Sequence, residues 1–336
     1  MGLIKRDASP RRGGKAGSAA ARVASAVVNP VPKVLPAEAF RVTGVEQGSS
    51  AEGLRPVVSY WSDAWRRFRK NTVAMVSLAV LVFFAVMVVI GPHVRGLDYM
   101  SKNTEYINAE PSAQFWFGAD ALGRDLFSRV WVGARVSLVV AIACSLIQMV
   151  VGSLYGGVMA YFGGVVDEAM MRVIEIVNSI PNLLVMLLVM MVLGNSMWAL
   201  LVAMCVTSWV GTARQMRGII KQLRETDYVA AARCLGMSPL AIIVRHLIPN
   251  TLSILLLDLF MSIPSYIFSE ASLSFLGLGL KTPAISLGTL ISDAQAVMEL
   301  YPFELFYPSL VLCLIVLAFN LFGDGLRDAL DPRMRR

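Results

Sequence analysis

Long uncharged blocks alternate along the chain with short charged stretches. Runs without Asp, Glu, Lys or Arg extend over 24 residues (Asn71 to Val94), 31 residues (Val136 to Val166) and 38 residues (Ile176 to Ala213), and each exceeds the roughly 20 residues that a bilayer-spanning helix needs. The last is too long for one crossing, and Gly194-Asn195-Ser196 supplies a tight turn that divides it. The pattern predicts spans over Thr72 to Ile90, Val136 to Tyr161, about Met170 to Leu193, Met197 to Val210, Thr251 to Phe268 and Leu305 to Phe322. The expected fold class is therefore all-α, a polytopic membrane protein with six transmembrane helices and both ends on one side.

The segments between these blocks organise the rest. Residues 1–56 are rich in Ala, Arg, Gly, Ser and Pro without apolar periodicity, and read as a disordered basic cytoplasmic tail. Arg22 interrupts the mildly apolar stretch Ala19 to Val28, which argues against a signal peptide. Over 57–71, Trp61, Trp65 and Phe68 recur at helical spacing among Arg66, Arg67, Arg69 and Lys70. That spacing suits an interfacial amphipathic helix with cations toward anionic lipid, or a plain cap on the first span. The expected order continues with the first span at 72–91, an external loop at 92–135, a core at 136–323 that contains a cytoplasmic loop at 214–250, and a cytoplasmic tail at 324–336.

Composition agrees with the pattern: 56% of the 336 residues are hydrophobic and 16% charged, against about 25% charged in a soluble domain. Mean hydropathy is +0.64. The net charge of +7 is explained by topology, because 24 of the 30 Lys and Arg fall on the side of the N-terminal tail and 6 on the other. This places both termini in the cytoplasm of a cell carrying the chain in its plasma membrane, and leaves no need for nucleic acid as a partner. Four cysteines form no Cys-x-x-Cys, and the histidines are only His93 and His246. Neither a metal site nor a disulfide framework is supported. Gly14-Lys15 is followed by Ala16 and lacks the upstream glycine of a phosphate loop, and no His-Glu-x-x-His or Gly-x-Ser-x-Gly occurs. The chain itself is expected to be non-enzymatic.

The polar stretch between the fourth and fifth spans has the strongest local pattern. Thr226 stands as a cap before Asp227, Ala230, Ala231 and Ala232 favour helix, and Gly236 offers a left-handed stop. Ser238 and Pro239 then restart a helix through Leu240 to Ile243, and Pro249 is expected to terminate it. A helix, a glycine corner and a second helix follow, with small residues that admit a close neighbour. Two readings stand: a rigid corner that transmits force, or a connecting loop that happens to be helical.

This segment resembles the "EAA" loop of ABC importer permeases. Ala231, Ala232, Gly236 and Pro249 fall on that pattern, whereas Ala230 stands for Glu, His246 for Ile and Ile248 for Leu. The His246-to-Asn250 ending is similar to the variant of the dipeptide and oligopeptide branch. Phe117 to Arg129, with Gly118-Ala119-Asp120, Gly123-Arg124-Asp125 and Ser128-Arg129, resembles the signature preceding the permease core of peptide and nickel importers, with Ala119 in place of Thr. Glu270 to Gly279 and Asn320 to Arg333 are similar to further blocks of that branch, and the six spans resemble its second ("C"-type) permease subunit. The resemblance implies a type I ABC importer permease fold and a substrate class of di- or oligopeptides, with nickel chelates as the alternative. It implies as partners a second homologous permease, two cytoplasmic ATPases and an external substrate-binding protein or lipoprotein. No cofactor is implied in this chain, ATP and Mg being bound by the ATPases. Tyr228, Ala230, Ala231, Ala232, Gly236, His246 and Pro249 would form the ATPase-coupling surface.

Other residues carry paired readings. Gly152, Gly156 and Ala160 form a small-residue stripe, for helix packing or a substrate groove. Asp258, in a Leu-rich helix, could line the translocation path and meet a peptide amine or pair with a basic neighbour; Glu270 is equally open. Arg172 is expected to be neutralised by Glu168 and Glu175. Pro181 and Pro264 permit kinks, and residues 276–303 could fold back on the external surface. A stand-alone secondary transporter would need matching half-repeats, which are not visible, and a membrane enzyme would need a catalytic constellation.

Overall fold

A computed structural model describes residues 60–281 and 283–330. The expected tail at 1–56 and the final six residues lie outside the described residues. Helix α1 (Tyr60–Lys70) leads into α2 (Thr72–Val94), where the Asn71 side chain caps the new helix by accepting from the Ala74 amide. The aromatic stripe on α1 divides. Trp61 and Trp65 face outward, but Phe68 is buried, packing edge-on against Phe322 at 5.4 Å and beside Ala74. Asp63 accepts from Arg66 at 2.5 Å and Arg67 at 3.0 Å, and the Arg66 guanidinium holds its carboxyl below the usual range.

The membrane-spanning body follows. α3 (Leu126–Phe162), α4 (Gly164–Ser179), α5 (Asn182–Leu193), α6 (Met197–Leu223), α10 (Leu252–Leu273) and α12 (Pro302–Leu330) fill it; between them lie α7 (Asp227–Cys234), α8 (Pro239–Ile242), α9 (Ile248–Asn250) and α11 (Leu287–Gln295). Among the described residues there is no strand, and this is an all-α polytopic membrane protein. Among the described residues five helices are long and apolar enough to cross a bilayer, and the bent pair α4–α5 brings the number to six if it is taken as one span. Only 22% of the most apolar window of α2 is buried, the helix meeting α3 and α12 along one side.

Several boundaries differ from the sequence expectation. The second span starts ten residues early, at Leu126, because Asp125 caps it by accepting from the Ser128 amide at 2.9 Å and the Ser128 hydroxyl at 2.6 Å. At 37 residues α3 measures about 55 Å, well beyond a hydrocarbon core of about 30 Å. The third span is broken: Ile180 sits before Pro181, which excludes it from helical geometry, and the chain turns by 81°. The fourth span runs on to Leu223, so the first ten residues of the expected loop at 214–250 are helix, and residues 324–330 likewise continue α12. Pro264 lies inside α10 without interrupting it.

The signature block ahead of the core is a folded knot. Asp120 accepts from the amides of Leu122 and Arg124, both at 2.9 Å, and from Arg124 Nε at 2.7 Å. Asp125 also receives Arg95 at 2.7 Å. Phe117 stacks on Tyr307 with centroids 4.1 Å apart, pinning the loop to α12. α11 opens with a capping box at Ser286 and lies against α3, α10 and α12.

α3 is the central post, touching α2, α6, α10, α11 and α12. It runs parallel to α6, so that Gly152 lies beside Thr212 and Gly156 beside Ala213 and Met216, and it runs antiparallel to α10. The C-terminal ends of α3, α6 and α12 and the start of α2 therefore gather at one end of the bundle.

Candidate functional site

The corner between α6 and α10 sits at that gathered end. Arg224, the residue after α6, reaches across to the last carbonyls of α3, donating to Ala160 at 3.0 Å and Tyr161 at 3.3 Å. Thr226 precedes α7 as expected but does not cap it through its side chain; its hydroxyl donates back to the Leu223 carbonyl at 2.6 Å. α7 ends in a Schellman motif. The Met237 amide donates to the Ala232 carbonyl at 3.2 Å and the Gly236 amide to Arg233 at 2.9 Å, with Gly236 at φ +75°. Ser238 then caps α8, with Pro239 at its first position.

Pro249 does not terminate this second helix. It lies inside the short α9, after a wide π turn over Ile243–Leu247 that contains half-buried His246. The extra residue of the π turn rotates the chain so that Ile243 and Leu247 are both fully buried. A satellite core of Val229, Ala232, Ile242, Ile243 and Leu247 closes on Met216, Ile220 and Ala160 and welds the corner to α3 and α6.

The expected coupling residues divide across α7. Tyr228, Ala230, Ala231 and Gly236 are exposed and Pro249 is exposed beside them, whereas Ala232 is 5% exposed and faces the bundle. Ala231, rather than Ala232, is the small residue open to a neighbour. Leu235 is 82% exposed and Leu240 62%, which leaves an apolar ridge beside the alanines. Two fasteners were invisible in sequence. Asn250 donates to the Tyr228 hydroxyl at 2.8 Å, closing the corner across 22 residues, and Arg233 lies over the Tyr161 ring at 5.1 Å. Nearby, Arg217 holds Asp167 with two hydrogen bonds of 2.5 and 2.6 Å, tying α6 to α4. Arg172 pairs with Glu175 at 2.7 Å.

The intramembrane carboxylates occupy different settings. Asp258 is half-buried and has no basic partner among the described residues. Its Oδ2 accepts from Thr212 Oγ1 at 2.6 Å and from Gln148 Nε2 at 3.2 Å, and Gln148 in turn accepts from the Tyr266 hydroxyl. This polar chain joins α3, α6 and α10 inside the apolar bundle. Glu270 is 1% exposed and accepts from three serines: Ser137 at 2.9 Å, Ser274 at 2.8 Å and Ser286 at 2.5 Å. The Leu287 amide donates to Ser137, so one carboxylate binds α3, α10 and α11 together.

The glycine stripe faces α6. A Cβ on Gly152 would meet Thr212 Cβ at 2.6 Å; one on Gly156 would press on the Ala213 carbonyl oxygen and lie 2.9 Å from the Arg217 amide nitrogen. Ala160, 2% exposed, continues the contact. Along this stripe α3 and α6 are in close contact. Among the described residues no group of three His, Cys, Asp or Glu could hold a metal ion.

Comparison with known proteins places these elements. The family model described as "Binding-protein-dependent transport system inner membrane component" matches residues 148–336, and "N-terminal TM domain of oligopeptide transport permease C" matches residues 59–111. The chain is 42% identical over 297 residues to a dipeptide transport system permease protein of Bacillus subtilis, covering 88% of this chain and 93% of that one. It is 37% identical over 302 residues to the oligopeptide transport system permease protein of the same organism, covering 90% and 99%. A glutathione transport system permease protein of Escherichia coli O6:K15:H31 is 37% identical over 276 residues, covering 82% and 91%.

Proposed function

The chain belongs to the family of binding-protein-dependent transport system inner membrane components, and we propose that it is one of the two permease subunits of an ATP-driven importer of di- and oligopeptides. On this reading it forms half of the translocation pathway beside a homologous permease. Two ATPases bind ATP and Mg, and an external binding protein or lipoprotein delivers substrate. Both termini and the corner lie in the cytoplasm, on the side favoured by the Lys and Arg distribution.

The observation that carries the coupling role is the corner itself. A helix closed by a Schellman motif, bolted to α3 by Arg224 and presenting Tyr228, Ala230, Ala231 and Leu235 outward, is stiff toward the bundle and open toward a partner. Coupling requires such an element, because a docked motor tilts the spans only if the contact is held differently in its two states. The alanine at position 230, where the resembled pattern has Glu, makes the contact one of shape and apolar surface. Asp258 is the path residue, its Oδ1 being left for a peptide ammonium while Oδ2 serves the network; Glu270 is a structural hub. Peptides are favoured over nickel chelates by the names of the relatives, which are dipeptide, oligopeptide and glutathione transport system permease proteins.

Reconstitution tests the reading. The two permeases, two ATPases and the binding protein in proteoliposomes should take up labelled dipeptide only with ATP, and unlabelled dipeptide should compete where a nickel chelate does not. Uptake that persists without the ATPases would overturn the importer reading, and competition by the chelate alone would overturn the substrate class.

A further inference from the structure

At the end of the bundle opposite the corner, the starts of α3 and α12 and the flank of α11 enclose a cavity of about 220 Å³ whose polar lining is Asp120, Arg124, Arg129, Asp293 and Glu304. Asp120 and Arg124 are occupied with one another at 2.7 Å in the loop knot. Arg129, which is also ion-paired with Asp120, and Glu304 both keep buried polar atoms without a hydrogen bond. Arg129 is 1% exposed, and although its Nε stands 3.3 Å from Asp120, neither Nε nor Nη1 makes a hydrogen bond. Glu304 is 4% exposed, and its Oε1 is likewise without a partner. Asp293 stands exposed at the rim.

A buried guanidinium N–H and a buried carboxylate oxygen that both lack hydrogen bonds are costly in a folded protein, and each such group calls for an explanation. Here a donor and an acceptor border one cavity without satisfying each other. A guest that brings both an anionic acceptor and a cationic donor would satisfy both at once; a simple anion would serve only Arg129, and a simple cation only the carboxylates. The volume lies below the range of about 300–1,000 Å³ typical of drug-sized ligands, which suits a molecule of two residues rather than a long chain.

We propose that this cavity is a subsite for the zwitterion of a dipeptide, its carboxylate against Arg129 and its ammonium against Glu304 and Asp293. The subsite rests on the importer reading for its place at the external mouth, where a released dipeptide would be held before entering the bundle. It is distinct from Asp258, which lies toward the opposite end of α10.

Equilibrium binding of labelled dialanine to the purified permease–ATPase complex, without binding protein, decides the matter. Saturable binding is expected in the parent complex. Glu304→Gln, which keeps the side-chain shape, and Asp293→Asn, an exposed rim change, should each weaken it about tenfold, the scale of one charge-assisted hydrogen bond. N-acetyl-dialanine and dialanine amide should each compete about tenfold less well than dialanine. Absence of saturable binding in the parent, or equal affinity in parent and both variants, would overturn the subsite. ATP-driven uptake by the complete importer is measured in parallel. Retained uptake alongside absent binding rejects the subsite alone, and failed uptake rejects the importer reading while the binding result still decides the subsite.

Discussion

Replacing Gly236 with valine isolates one backbone preference at the proposed coupling corner. Gly236 holds φ +75°, and a Cβ built there meets nothing within 4 Å, so a side chain has room and the whole penalty is conformational. A β-branched residue in the left-handed region is a genuine outlier, and such strain costs about 1–3 kcal/mol. The bonds at risk are the Met237-to-Ala232 and Gly236-to-Arg233 closures that set the angle between α7 and α8. A bias of that size corresponds to roughly a 5–150-fold change in a two-state equilibrium. Coupling should therefore fall severely while the spans, whose core lies elsewhere, still assemble. The assay is the ratio of dipeptide uptake to ATP hydrolysis in proteoliposomes, measured for the parent, Gly236→Val and Gly236→Asn. Asparagine tolerates the left-handed region and should restore most of the ratio. Equal ratios for the parent and Gly236→Val would refute the claim that this corner angle transmits the motor's work.

Gly156→Ala should destabilise the purified complex by about 1–3 kcal/mol, because the new methyl meets backbone atoms of α6 that cannot move aside. Gly218→Ala, where nothing lies within 4 Å, should be neutral or stabilising by up to about 1 kcal/mol from helix propensity; thermal unfolding of the pair that failed to separate them would contradict the packing account. Glu270→Ala leaves three serine hydroxyls without their acceptor and should cost roughly 3 kcal/mol, read as lost yield and a lowered Tm. Asp258→Asn retains an acceptor for Thr212 and Gln148, so Tm should hold while the KM for dipeptide uptake rises about tenfold or more; an unchanged KM would remove Asp258 from the path.

Much of the architecture was legible because it is decided locally. Transfer of an apolar block into a bilayer depends on that block alone, so the uncharged runs located the crossings, and Pro181, Gly194 and Gly236 located breaks that their own backbone limits impose. Lengths were less legible. The caps and continuations that start α3 at Leu126 and carry α6 to Leu223 extend each helix through charged residues, Arg129 and Arg135 in α3 and Arg214, Arg217 and Lys221 in α6, where an uncharged run stops.

What needed the tertiary structure was every property that depends on which face meets which neighbour. Ala231 and Ala232 are identical in sequence, and only docking of α7 on α3 and α6 turns one outward and buries the other. Glu270 and Asp258 are two carboxylates on one apolar helix, told apart by serines from Ser137 to Ser286 in one case and by Gln148 and Thr212 in the other. Arg129 and Glu304 lie 175 positions apart and share a cavity only because α3 and α12 begin at the same end of the bundle. Local free energies choose a helix and its stops; the partners of a side chain follow from long-range packing, which no window along the chain contains.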